Sequence, residues 1–167
     1  MHENHAPDLN VAKKALQAGK DIGILSEAGC PAIADPGNLV VHAAHSIGAT
    51  VVPMVGPSSI LLALMASGMN GQNFQFIGYL PIKPPERGRA IKELELTSQK
   101  NGQTQLFIET PYRNGQMFKD ILANCKDQTL LCIAADLTAP QEYIRTLPIK
   151  EWKKCRSLHY TSVRQYS

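Results

Sequence analysis

The chain has 167 residues, a length that fits one domain, or one domain and part of another. Hydrophobic residues make up 44% and charged residues 19%, which excludes a disordered chain because apolar burial can offset chain entropy. The formal charge of +3 permits a nucleic-acid partner but does not single one out, since such domains more often carry a concentrated basic face.

The start, Met1 to Asp8, is polar and lacks the apolar stretch of a secretory signal. Asp8 is placed to cap a helix carrying Leu9, Ala12, Ala15 and Leu16 and ending at Gly19. Asp21–Ser26 reads as a short strand entering a loop, Glu27 to Gly37, and a helix follows over Leu39–Ile47 until Gly48. Thr50–Val55 reads as a strand interrupted by Pro53, so it ends early or lies at an edge. Gly56-Pro57-Ser58-Ser59 then turns into Ile60–Ala66, a helix apolar nearly all round and therefore expected to be buried between layers or lobes.

Phe74–Leu80 predicts a strand, Pro81–Pro85 a stiff loop and candidate hinge, and Arg87–Gln99 a charged helix. Thr104–Ile108 is a strand and Asn114–Asn124 a helix with Met117, Phe118, Ile121 and Leu122 on one side. Thr129–Ala135 is a continuous apolar strand of the kind buried on both faces, Glu142–Leu147 a shorter strand, and Ile149–Lys153 the start of a helix. This alternation predicts an α/β fold with a largely parallel sheet.

The cysteines, Cys30, Cys125, Cys132 and Cys155, have no paired spacing, so neither zinc nor a disulfide framework is expected. His2/His5 and His42/His45 read as surface pairs, and no metal site is expected. The most apolar run, Ile60–Met65, is too short to span a bilayer, and a reducing, cytoplasmic setting is expected.

In open α/β sheets ligands sit beyond the carboxyl ends of strands, which directs attention to three loops. Ser26–Gly37 offers small residues for close backbone approach and two carboxylates, Glu27 and Asp35; an ordered turn with Asp35 capping the next helix is the competing reading. Gly56–Ser59 presents two hydroxyls at a helix start, where capping explains one. Glu109-Thr110-Pro111-Tyr112-Arg113 groups a carboxylate, an aromatic ring and a guanidinium after a strand; a structural Glu109–Arg113 ion pair is the alternative.

Together the segments 27–37, 52–59 and 109–113, with Gly78-Tyr79-Leu80-Pro81 and Asp136-Leu137-Thr138 between and after them, resemble the tetrapyrrole methylase superfamily of S-adenosylmethionine-dependent methyltransferases. Within it they are most similar to the branch that methylates a cytidine ribose 2′-hydroxyl in small-subunit ribosomal RNA, with similarity running from about His2 to Trp152. The resemblance implies two αβα lobes with a cofactor cleft between them. Here the first lobe is expected to be incomplete over residues 1–56, with an inter-lobe helix over 57–71 and a second lobe with a polar tail over 72–167.

By position in the family, Ala28, Gly29, Cys30 and Ile33 would line S-adenosylmethionine in the first lobe. Ser59 and Ile60 would border it at the crossing, and Glu109, Leu137 and Thr138 would contribute from the second lobe. Glu109 is the candidate catalytic carboxylate, while Arg113 is the candidate to hold a substrate phosphate.

Against the family pattern, an opening strand with its Pro/Gly loop is expected to be absent, and with it part of the cofactor site. The branch's Arg-Glu-Leu-Thr-Lys run is Ala135-Asp136-Leu137-Thr138-Ala139 here, without either basic residue, and residues 154–167 are mostly polar. The expected function is methyl transfer, which in the resembled branch is 2′-O-methylation of ribosomal RNA. A catalytically silent interaction domain and a methylase of tetrapyrroles or other small molecules are the alternatives. A homodimer is the expected assembly.

Overall fold

Helix α1 (Leu9–Gln17) begins where Asp8 accepts hydrogen bonds from the amides of Asn10 (2.9 Å) and Val11 (3.3 Å), satisfying two donors that the helix itself cannot. These contacts belong to a computed structural model that describes residues 8–155. The chain divides into two units, Met1–Ser58 and Ser59–Ser167.

In the first unit α1 packs against α2 (Asn38–Ser46), whose Ala43 and Ala44 are buried. The sequence predicts strands over 21–26 and 50–55, but neither forms. No backbone-to-backbone hydrogen bond joins either segment to another described one. The apolar pattern survives, yet a strand also needs a neighbouring strand about 4.8 Å away, and nothing local encodes that neighbour. Leu25 is left 92% exposed and Met54 86%.

The second unit opens with α3 (Ser59–Ser67), which packs on β3 (Leu130–Ala135) and β4 (Tyr143–Pro148). It is not buried all round as its composition predicts: Leu64 and Ser67 are buried, while Leu61 and Met65 face solvent. The Ser67 carbonyl accepts from Thr146 Oγ1 at 2.8 Å, tying the helix end to β4.

Strands β1 (Phe74–Tyr79) and β2 (Thr104–Ile108) pair in parallel, joined by α4 (Pro84–Asn101). The parallel expectation holds for this pair, whereas β3 and β4 are antiparallel, with Leu130 opposite Pro148 and Ala135 opposite Tyr143. The predicted stiff loop is shorter than expected, because Pro84 and Pro85 occupy the first turn of α4, where the missing N–H is no loss. A single 3₁₀ turn over Pro111–Arg113 leads from β2 into α5 (Asn114–Asn124), and α6 (Ile149–Trp152) follows β4 directly.

Both apolar core clusters lie in this unit. Leu80, Ile91, Met117, Ile121 and Ile149 form one cluster, and Phe118 and Trp152 form another. The two rings meet edge to face at 5.6 Å between centroids, and Trp152 Nε1 donates to the Leu131 carbonyl at 2.9 Å. Buried Glu95 on α4 accepts from the Lys126 amide (2.7 Å) and the Thr129 hydroxyl, fastening α4 to the turn between α5 and β3.

Candidate active site

The segment 26–37 is held by its own backbone and short side chains. Ser26 Oγ donates to the Ala28 carbonyl (2.7 Å), and the Ile33 amide donates to the Cys30 carbonyl (3.2 Å). The Cys30 thiol points at the Pro57 carbonyl (Sγ to O 3.5 Å), so the first and second sequence motifs meet. Ala32 (φ 65°) and Ala34 (φ 56°) take left-handed conformations that cost non-glycine residues about 1–3 kcal/mol each. Asp35 does not cap α2. That position falls to Gly37 at φ 138°, where a Cβ would stand 3.2 Å from Ile24 Cγ2. Ala28 and Gly29 are exposed, and so is the side chain of Ile33.

In the second unit the parallel pair β1–β2 ends in a cluster of polar and aromatic side chains. Phe76 pairs with Leu106 and Tyr79 with Ile108, so β1 holds one extra residue before its end. Gly78, at φ 80°, accommodates that bulge, and the bulge re-aims Tyr79. The following turn is fixed by Arg87, a buried side chain whose Nη1 donates to the Ile82 carbonyl at 2.5 Å and whose Nε donates to Asp120 at 2.6 Å.

Beyond β2, Arg113 Nε and Nη2 reach Glu109 Oε1 at 2.8 and 2.6 Å. The Thr110 amide donates to the same oxygen at 2.7 Å. The Glu109 side chain is only 7% exposed, and its Oε2 has no hydrogen-bond partner among the described residues. The structural ion pair considered as the alternative is therefore present, and it leaves one carboxylate oxygen uncommitted. Nη1 of Arg113 is likewise uncommitted among the described residues. The guanidinium lies 6.0 Å from the Tyr79 ring centroid and 5.9 Å from that of Tyr112.

Leu137 and Thr138 sit in the turn between β3 and β4, where Asp136 (φ 46°) and Thr138 (φ 69°) are again left-handed and the Thr138 amide donates to Glu142 (2.7 Å). All four non-glycine residues with positive φ among those described thus fall in two motif loops. Ser59 and Ile60 form the first residues of α3. Tyr79 was not singled out by sequence as a site residue; the available signal was an aromatic immediately after a strand glycine. All four cysteines are free, and among the described residues no three His, Cys, Asp or Glu side chains gather as metal ligands. No described helix is long and apolar enough to cross a membrane.

The cluster of Tyr79, Glu109 and Arg113 stands at strand ends of an α/β unit, the place where folds of this class bind their ligands. The crystal structure of the methyltransferase CobJ is similar in fold, with a TM-score of 0.57 and 18% identity over 87% of this chain and 65% of that one. No family model matches. The Ribosomal RNA small subunit methyltransferase I of Vibrio cholerae serotype O1 is 34% identical over 152 residues, 90% of this chain and 51% of the relative. The protein of the same name from Escherichia coli O157:H7 is 34% identical over 136 residues, 81% of this chain and 46% of the relative. The chain spans about half the length of the curated relatives it matches. By sequence it is a homologue of these ribosomal RNA small subunit methyltransferase I proteins of the tetrapyrrole methylase family, and in fold it is similar to CobJ.

Proposed function

We propose that the protein is an S-adenosylmethionine-dependent methyltransferase whose acceptor is ribosomal RNA, at a ribose 2′-hydroxyl. The observation that carries this reading is the similarity across 90% of the chain to a ribosomal RNA methyltransferase. The residues fit the cofactor's chemistry. An adenosyl group needs backbone amides and carbonyls at close range and an apolar face. The exposed backbone at Ala28 and Gly29, the half-buried Cys30 and the exposed Ile33 side chain offer both. Ser59, Ile60, Leu137 and Thr138 are the proposed further contacts. When bound, S-adenosylmethionine supplies an activated methyl group.

The chain's own task is alignment, because in-line displacement is governed by the relative placement of acceptor oxygen and methyl carbon. Glu109 Oε2 is the free acceptor that would hold the 2′-hydroxyl proton, with Arg113 fixing the carboxylate in place. Arg113 Nη1 is free for a substrate phosphate.

Calorimetric titration with S-adenosylmethionine, followed by tritium transfer from labelled cofactor, tests the reading. Binding heat and label in ribosomal RNA are expected; label only in a small-molecule fraction, or no binding and no label at all, overturns it. A homodimer in the cytoplasm is the proposed state, supported by the exposed apolar residues Leu25, Val52 and Met54 and by the RNA acceptor. A monomer mass in light scattering at micromolar concentration would count against the dimer.

A further inference from the structure

Two large aromatic rings stand exposed beside the adjacent parallel strands: Tyr79, 56% exposed, ends β1, and Tyr112, 80% exposed, lies in the 3₁₀ turn beyond β2. The guanidinium of Arg113 lies 6.0 and 5.9 Å from the two ring centroids, within cation–π range, and Arg113 is itself immobilised by two contacts to Glu109. Exposed tyrosines have no folding reason to be held this way: their burial contributes little, and Arg113 needs only Glu109 to be paired. The Gly78 bulge that re-aims Tyr79 and the Arg87 clamp on the following turn fix the ring's approach from the other strand. Lys83, exposed in that turn, adds a second positive charge. Flat π-faces beside a fixed guanidinium and a nearby lysine match an unpaired nucleobase and its phosphate, because every base has a π-face and duplex bases do not expose theirs.

We propose that Tyr79, Arg113 and Tyr112 form a stacking platform for an unpaired base of the RNA acceptor, with Arg113 Nη1 and Lys83 taking the neighbouring phosphate. This deepens the methyltransferase reading by assigning the strand conformation of the substrate: single-stranded, with a base splayed onto the protein.

The test is fluorescence anisotropy with a labelled single-stranded ribo-oligonucleotide and with its duplex, alongside calorimetry with S-adenosylmethionine. The protein is expected to prefer the single strand. Tyr79→Ala with Tyr112→Ala should weaken single-strand binding about tenfold or more, while the two Tyr→Phe changes preserve it. Folding of the variants is checked by the emission of the only tryptophan, Trp152. Cofactor affinity should be unchanged by either pair.

The platform is overturned by any one of four results: no single-strand binding, equal duplex binding, retained binding in the double alanine variant, or loss of cofactor affinity in its place. Failure of the methyltransferase reading is separate. It would appear as absent cofactor binding while RNA binding still depends on the tyrosines, and the platform would then stand.

Discussion

Arg87 and Asp120 form the most enclosed ion pair described, and Arg87 also carries the carbonyls of the turn that follows β1. Removing one partner leaves an uncompensated charge in a site with little water, which typically costs about 3–5 kcal/mol. Arg87→Met or Asp120→Leu alone should therefore lower the urea midpoint strongly. The double substitution should cost less than the sum, which a double-mutant cycle would read directly. Additive losses would show that the pair contributes nothing as a pair. Cys125 behaves differently: burial, reinforced by the Glu95 carboxylate and opposed by Lys153, pushes its thiol from 9.0 up to about 11. The folded state therefore holds this proton more tightly than the unfolded chain. That contribution is complete below pH 9 and is lost as pH rises toward 11. Denaturation midpoints should fall across this window, less steeply in Cys125→Ala, and thiol-specific reagents should react slowly at Cys125 near neutral pH.

At the scale of elements, α5 lies where the sequence places it, over Asn114–Asn124, because Met117, Phe118 and Ile121 mark one face at helical spacing and all three are buried. The strands predicted over 21–26 and 50–55 do not form, since an apolar pattern describes a surface but not the partner that pairs with it. Orientation was equally hidden: β3 is as apolar as a central parallel strand, yet pairs antiparallel with β4 across a turn that needs left-handed Asp136 and Thr138.

Of the site, the Glu109–Arg113 pairing could be read from an i, i+4 spacing, whereas Tyr79 joins it only through strand adjacency. Gly37 tests how far loop 26–37 depends on one conformation. Alanine there would have to adopt φ 138° with its Cβ 3.2 Å from Ile24 and 3.4 Å from the Ala32 amide nitrogen. Gly37→Ala should cost about 1–3 kcal/mol locally, seen as faster amide exchange through the loop and the first turn of α2. Unchanged exchange would mean that the loop relaxes freely.

Across the whole molecule the apolar core is unevenly divided. Of the ten buried hydrophobic residues described, Ala43 and Ala44 belong to the first unit; the other eight, Trp152 and Ile149 among them, belong to the second. Two alanines bury little area, and at about 25 cal/mol per Å² they stabilise far less than a cluster built from isoleucine, leucine, phenylalanine and tryptophan. The unpaired segments 21–26 and 50–55 add no ladder hydrogen bonds to compensate. Opening of the first unit should therefore cost less free energy than opening of the second. Because Trp152 is the only tryptophan and lies in the second unit, its fluorescence reports that unit alone. On titration with urea, amide exchange and limited proteolysis should show residues 21–26 and 50–55 yielding first, while Trp152 emission stays native. The emission should change only at higher denaturant, with the protection of α4 and α5. Simultaneous loss of protection in both units, coincident with the fluorescence transition, would mean that the two unfold as a single cooperative body and that the thin core of the first is supported by contacts beyond its own side chains.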